Sequence, residues 1–452
     1  MTHGIDDIFA HIAANEQSFI QRVMDYTRHP SISAQNVGVT EVAALLVGAL
    51  DDLGFAAEAV PTDGHPMVLG RWDKAPGAPT ILLYGHYDVQ PPEPLDAWIS
   101  PPFEPTIRDG RIYARGIGDN KGQHFAQLLA IESHLKVRGT LPCNVIVLLE
   151  GEEEIGSPHV SSFMAANRER LKADLVVIAD GPIHASGRSL ISYGVRGVAG
   201  FELRARHANR DVHSGNFGGV VPNPIWTLVH LLATMKNADG EITIDGLHDD
   251  VVPPTELERA AAARIPLDPE EVKASLGLRR FDAPAGRGLA ERLMFHPTLT
   301  INGLHGGYGG PGKKTVLPNE AFVKCDIRLV ENQTPQDVLA KVEAHVKRHA
   351  PEVEFISYGG HMPSKTPIES PYGEAIRRAI VTARGAEPLL YPRMGGSLPN
   401  YVFTQILGIP AFVVPYANAD QANHAPNENL TIECFLNGIR TGAALLAEIG
   451  GH

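Results

Sequence analysis

Cysteine is scarce in this chain. Only Cys143, Cys325 and Cys434 occur among 452 residues, odd in number and far apart. That argues against a disulfide framework and against a cysteine-based zinc site, and it suits a reducing cytoplasm. Long apolar runs are missing as well. None approaches the ~20 residues needed to span a bilayer, so no membrane partner is expected. The opening residues, Met1-Thr2-His3-Gly4-Ile5-Asp6-Asp7, lack the basic and apolar regions of a signal peptide, and a cytoplasmic location is expected. Nor is there a basic excess. Lys and Arg number 39 against 52 Asp and Glu, a net charge of −13, which leaves no footprint for nucleic acid.

What is present describes an ordinary globular protein. Hydrophobic residues make up 43% and charged residues 20%, enough for a substantial core. The length predicts two or three units. Amphipathic helices are expected over 8–27 and 40–53. Short β-like runs at 80–84, 144–149 and 174–179 then alternate with helical stretches at 122–137 and 158–171. Such alternation predicts an α/β layer built on a mixed, largely parallel sheet flanked by helices. From about Val195 the order becomes strand 201–205, helix 224–235, strands 299–301 and 321–329, helix 335–349 and strand 353–358. This is the split-βαβ pattern of a small two-layer α+β domain. The α/β texture returns with a helix at 372–384, a strand at 411–414 and a helix at 431–448. The predicted organisation is a catalytic domain over 1–195 and 367–452, interrupted by a lid or dimerisation domain over 196–366. The charged, Ala-rich stretch 241–295 has no role evident from sequence.

Three β-runs end in chemically unusual residues. Ile81–Gly85 runs into His86-Tyr87-Asp88. Val145–Leu149 runs into Glu150-Gly151-Glu152-Glu153-Glu154-Ile155-Gly156-Ser157. Leu175–Ala179 runs into Asp180-Gly181. Asp119 precedes a predicted helix, and His424 follows the 411–414 strand. In open α/β sheets the ligand crevice lies beyond the carboxyl ends of the strands, so all five segments could converge on one rim. Two His, two Asp and a Glu suit Zn²⁺, Mn²⁺ or Co²⁺. Five ligands exceed the three of a single catalytic zinc and fit two ions sharing a bridging carboxylate. Three carboxylates against two divalent ions leave one positive charge, which favours a bound hydroxide. Singly, each residue has a bland alternative. Asp119 could cap its helix, and Glu152–Glu154 could be a solvated face.

At these residues the sequence resembles the M20 family of metallopeptidases, most closely its carnosinase-like cytosolic dipeptidase branch, over nearly the whole chain. The likeness is carried by Gly85-His86-Tyr87-Asp88-Val89-Gln90-Pro91, Gly118-Asp119-Asn120-Lys121-Gly122 and the acidic run from Glu150 to Ser157. It continues through His213-Ser214-Gly215-Asn216-Phe217-Gly218-Gly219, Asp326-Ile327-Arg328-Leu329-Val330, Gly395-Gly396-Ser397-Leu398-Pro399 and Asn423-His424-Ala425-Pro426-Asn427-Glu428. The resemblance implies that His86 and Asp180 ligate one metal, that Glu154 and His424 ligate the other, and that Asp119 bridges. It implies that Asp88 orients His86 and that Glu153 is the general base, which leaves Glu152 as a non-ligand. It assigns His213 to the oxyanion in the partner subunit's site, Arg328 to the substrate carboxylate, and Thr315 and Ser397 to further substrate contacts.

The function so implied is hydrolysis of the amide bond of dipeptides or similar small substrates with a free carboxylate. Two divalent ions per chain are expected, zinc foremost with manganese or cobalt as alternatives. The enzyme would work as a homodimer without nucleic acid or membrane partners. A small peptide or an N-acyl amino acid would be the substrate, and an N-acyl-amino-acid deacylase is the competing reading. A metal-binding homologue without catalysis is a further reading, disfavoured because neither a ligand nor the base is missing. Hinges are expected near 195–197 and 360–370.

Overall fold

The computed structural model describes residues 4–282 and 288–451. Its first elements are α1 (Asp6–Ala14), α2 (Glu16–Thr27), α3 (Val39–Asp52), β1 (Ala56–Val60), β2 (Met67–Trp72), β3 (Thr80–His86), α4 (Lys121–Arg138), β4 (Asn144–Glu150), α5 (Val160–Ala166), β5 (Leu175–Ile178) and β6 (Leu190–Ser192). There follow β7 (Gly197–Arg206), α6 (Pro224–Met235), α7 (Glu256–Ala263), α8 (Pro269–Leu276), α9 (Leu289–Phe295), β8 (Thr298–Gly306), β9 (Glu320–Leu329), α10 (Pro335–His349) and β10 (Glu354–His361). The chain closes with α11 (Pro371–Arg384), β11 (Leu389–Tyr391), β12 (Ala411–Val413) and α12 (Ile432–Gly450). Among the described residues, no helix is long and apolar enough to cross a membrane. All three cysteines are free and buried.

Two compact units result. One comprises 1–194, 365–391 and 402–452; the other comprises 195–364 and 392–401. The first is built on an eight-stranded sheet in the order β1-β2-β4-β3-β5-β12-β6-β11. The centre of this sheet, β4-β3-β5-β12, is parallel, while β1, β2 and the β12–β6 pair are antiparallel. Side chains alternate across a strand, yet both faces here are covered. Ile81, Leu83, Val145, Val147, Leu175 and Val177 join the main core with residues of α4, α11 and α12. The alternate residues Leu82, Tyr84, Ile146, Leu148 and Val176 are buried too, and Tyr84 meets Phe403 edge-on. Burial on both faces explains why these strands read as unbroken apolar runs in the sequence.

The helices correct the sequence reading in two places. The expected helix over 8–27 is two helices, because Asn15 leaves the helical region (φ −113°, ψ 9°) and its amide donates to the His11 carbonyl at 2.8 Å. A side chain that bonds its own backbone competes with the helix ladder. The helix expected over 158–171 stops at Ala166, where Asn167 donates to the Phe163 carbonyl at 3.0 Å in the same way.

The second unit holds a four-stranded antiparallel sheet in the order β8-β9-β7-β10, the arrangement of a split βαβ fold. Ala199, Phe201, Leu203 and Ala205 of β7 and Val323, Cys325, Ile327 and Leu329 of β9 share one core with α6 and α10. The strand period then sends Lys324, Asp326 and Arg328 to the opposite face. Thr334 caps α10 by accepting from Asp337 N at 3.1 Å, with Pro335 in its first turn. The stretch 241–295 forms the short helices α7, α8 and the start-to-Phe295 span of α9, and Thr255 and Glu258 close a capping box on α7. Residues 283–287 of that stretch, and Met1 to His3 of the amino-terminal reading, lie outside the described residues.

Candidate metal centre

Parallel pairing aligns the strand ends. His86 of β3 lies in register with Glu150 of β4, and Tyr84 lies opposite Ile178 of β5. Chain continuing from these ends must emerge on one rim. From β4 it enters a short 3-10 turn, Glu153–Ile155, closed by Gly156 at φ +90°, a conformation a side chain would strain. Asp180 follows β5 by two residues. Asp119 lies in the loop ahead of α4. His424 lies beyond β12 in a loop where Ala422, His424 and Asn427 all have positive φ. Such conformations cost energy in non-glycine residues and persist only where the surroundings impose them.

Five side chains meet here in two groups with Asp119 in common: His86, Asp119 and Asp180, and Asp119, Glu154 and His424. Within each group one ligand atom per residue lies within 4.8 Å of the others. Asp119 Oδ1 is 3.0 Å from His86 Nε2, and its Oδ2 is 3.2 Å from His424 Nε2. Asp180 Oδ2 is 3.8 Å from His86 Nε2. Glu154 Oε2 is 3.1 Å from His424 Nε2. His86 is fully buried and Asp180 nearly so.

The electrostatics are those of a carboxylate cluster withdrawn from water. Burial alone would raise the Asp119 carboxyl, but bonds from His424 and His86 outweigh it and hold it far below the usual carboxylate range. Asp180 is pushed up to about 7 by burial and then by the Asp119 charge. Burial also raises Glu153 well above its ordinary value, helped by Asp180, Asp119 and Glu154. The bonds to Asp119 and Glu154 raise His424 to about 10. Several buried acids of like charge, facing two imidazoles, form a donor set whose mutual repulsion divalent cations would relieve.

The three consecutive glutamates have different surroundings. Glu152 Oε1 accepts from His65 N at 2.9 Å, and its Oε2 pairs with His159 Nδ1 at 2.7 Å, so this carboxylate is used up in holding two loops. Glu154 Oε2 also accepts from Gln90 Nε2 at 2.9 Å. Asp88 is fully buried. Its carboxylate takes Ser33 Oγ at 2.6 Å and the backbone N–H groups of Glu153 and Glu154 at 3.2 and 3.1 Å. His86 Nδ1 lies 3.1 Å from the Asp88 carbonyl and 3.4 Å from Oδ1. Asp88 therefore ties the β3 end to the glutamate turn through both its backbone and its side chain.

Two residues inside the quoted motifs were not singled out from sequence. Asn120 accepts from His86 N at 3.2 Å and donates to Ala179 O at 2.6 Å, which fastens the ends of β3 and β5 to the start of α4. Glu428 is fully buried. Its Oε2 accepts from Arg115 Nη1 (2.7 Å) and Gly116 N (2.9 Å), and its Oε1 from Gly118 N (2.8 Å) and Asp119 N (2.9 Å). It thereby shapes the loop that presents Asp119. Their motif neighbours are the only sequence signal they carry.

The remaining candidates lie in the second unit and form two pairs. His213 Nε2 is 3.2 Å from Thr315 Oγ1, and its Nδ1 accepts from Gly215 N at 3.0 Å. The short β-pair of Val212–His213 with Val316–Leu317 sets this register. Arg328 donates from Nη1 to Ser397 Oγ at 3.0 Å and from Nε to Asp326 Oδ1 at 3.2 Å.

Residues 82–448 match Peptidase family M20/M25/M40. The Cys-Gly metallodipeptidase dug1 of Schizosaccharomyces pombe is 30% identical over 472 residues, covering 99% of this chain and 99% of that protein. The Beta-Ala-His dipeptidase of Rattus norvegicus is 29% identical over 470 residues, covering 98% of this chain and 95% of that protein. The crystal structure of Sso-CP2, an M20 family metallo-carboxypeptidase from Sulfolobus solfataricus, superposes with a TM-score of 0.89 at 34% identity, covering 96% of this chain and 99% of that one.

Proposed function

The chain belongs to peptidase family M20/M25/M40, and from that membership we propose that it is a two-metal hydrolase of dipeptides. The observation that carries this reading is the sharing of Asp119, whose two oxygens face His86 at 3.0 Å and His424 at 3.2 Å. In this reading His86 and Asp180 hold one divalent ion, Glu154 and His424 hold the other, and Asp119 serves both. Zinc is the ion we favour, with manganese and cobalt suited to the same donors. Bound there, the pair supplies Lewis acidity toward the amide carbonyl and acidifies a water molecule.

The chain's own groups do the rest. Glu153 accepts the proton of the attacking water and returns it to the leaving amine. Asp88 fixes the His86 ring. His213 with Thr315 donates to the developing oxyanion. Arg328 and Ser397 take the free carboxylate of the substrate. We take the working form to be a homodimer in which the partner subunit's His213 serves each centre. The exposure of His213, and of Trp226 (61%) and Val220 (79%) nearby in sequence, supports that reading. Three free, buried thiols support a cytoplasmic setting.

The test combines metal analysis with a substrate panel. Chelation is expected to abolish dipeptide hydrolysis, and zinc, manganese or cobalt to restore it. Asp119→Ala is expected to lose both ions, and Glu153→Gln to keep them while turnover falls at least 10²-fold. An Asp119→Ala protein that keeps two ions per chain would reject the bridge. Turnover confined to N-acetyl or N-succinyl amino acids would replace the dipeptidase with a deacylase.

A further inference from the structure

Three guanidinium groups gather around the segment 392–397 of the second unit. Arg328 donates to Ser397 Oγ at 3.0 Å and is balanced by Asp326 at 3.2 Å. Arg393 donates to the Met294 carbonyl at 3.0 Å and lies 3.5 Å from Glu331. Arg196 differs. It is only 7% exposed, its backbone N–H donates to Met394 O at 3.1 Å, and its Nε donates to Gly395 O at 2.9 Å. No carboxylate pairs with it among the described residues, and its Nη1 is buried without a partner. Asp326, whose negative charge acts on it, is already engaged by Arg328 and by Asn302 Nδ2 at 2.8 Å. Burial, and then the Arg328 and Arg393 charges, push Arg196 down to about 10.

A buried cation beside two others is unfavourable unless an anion completes the site. Ser397, two residues beyond the Gly395 carbonyl that Arg196 holds, carries a hydroxyl suited to such an anion. Ser397 Oγ receives Arg328, so its own hydrogen is left to donate. We propose that Arg196 is the charge-supplying and positioning residue of a carboxylate subsite centred on Arg328 and Ser397. Its Nε holds the Gly395 carbonyl and hence the loop that carries Ser397. Its uncompensated positive charge makes a free C-terminal carboxylate, rather than a neutral amide, the group the subsite accepts. The inference rests on the reading of the chain as a hydrolase of small peptides.

The experiment compares a dipeptide with its C-terminal amide in the wild type, Arg196→Gln, Arg196→Lys and Ser397→Ala, all with metals loaded. In Arg196→Gln the KM for the free acid is expected to rise about tenfold with kcat within about twofold, and the acid-over-amide preference to fall by about the same factor. Arg196→Lys should recover most of that preference, because it keeps the charge. Ser397→Ala should weaken it less than Arg196→Gln does. Equal losses for acid and amide in Arg196→Gln, or no recovery in Arg196→Lys, would overturn the proposal. Calorimetric binding of L-alanine against L-alaninamide reads the subsite without turnover. A chain that prefers the acid through Arg196 yet cleaves no dipeptide would sink the hydrolase reading and leave the subsite standing. A chain that cleaves dipeptides with an unchanged preference in Arg196→Gln would do the reverse.

Discussion

Glu428 offers the sharpest test of how the centre is held. Each of its carboxylate oxygens accepts two donors, from Arg115, Gly116, Gly118 and Asp119, at 2.7 to 2.9 Å. Burial pushes its carboxyl upward and the Arg115 charge opposes this. A proton on either oxygen would face an N–H group, so the ionised form is the one this site accommodates. Glu428→Ala strands the Arg115 guanidinium, whose side chain is 1% exposed, at a cost of about 3–5 kcal/mol for a broken buried pair. It also orphans three backbone N–H groups, each costing about 1 kcal/mol once water has partly replaced the acceptor. The sum rivals the ~5–15 kcal/mol by which a typical domain is stable. Glu428→Gln is therefore the more useful change. The amide keeps one acceptor and turns two donors against two donors, which we put at about 2–4 kcal/mol. Chemical denaturation of the chelated protein should show a clearly lower midpoint for Glu428→Gln. Metal analysis after dialysis should show both ions weakened together, because the Asp119 loop serves both groups. An unchanged midpoint with unchanged metal content would refute the clamp.

Three further outcomes follow from the same geometry. Glu152→Gln should lower thermal stability by about 1–3 kcal/mol, since its carboxylate binds His65 N and His159, and should keep turnover within a few-fold, whereas Glu153→Gln should do the opposite; melting curves and initial rates on both variants decide whether the two acids have been assigned the right way round. Asn120→Ala removes the bond from His86 N and the bond to Ala179 O; weaker metal binding at unchanged far-UV circular dichroism is expected, and full metal affinity would count against it as a fastening residue. Burial pushes the Cys143 and Cys325 thiols up to about 12, so thiolate is rare near pH 8 and Ellman's reagent should react slowly before denaturation and with three thiols per chain afterwards; rapid native labelling would show that these sites open.

Much of the fold was legible because it is written in local periodicity. Burial on both faces made β3, β4 and β5 unbroken apolar runs, and helix spacing marked α3, α4, α6, α10, α11 and α12 to within a few residues. The misjudged helices failed for one reason. Asn15 and Asn167 break the ladder through their own side chains, a choice that apolar periodicity does not register. At the candidate site, strand-end context drew attention to His86, Asp180 and the glutamate run. Asn120 and Glu428 went unnoticed because their work is to bind backbone N–H and C=O groups of distant segments.

The sequence alone determined which residue types were available and where the strands carrying them ended, because side-chain alternation and apolar run length are properties of neighbours along the chain. Although the family resemblance named Glu154, local pattern could not decide which of three adjacent glutamates faces the histidines. That depended on His65 and His159 capturing Glu152, on Asp88 pinning the turn, and on Glu428 shaping a loop some three hundred positions away. Such choices are tertiary because a buried carboxylate goes wherever donors converge on it, and the donors come from segments that only folding brings together.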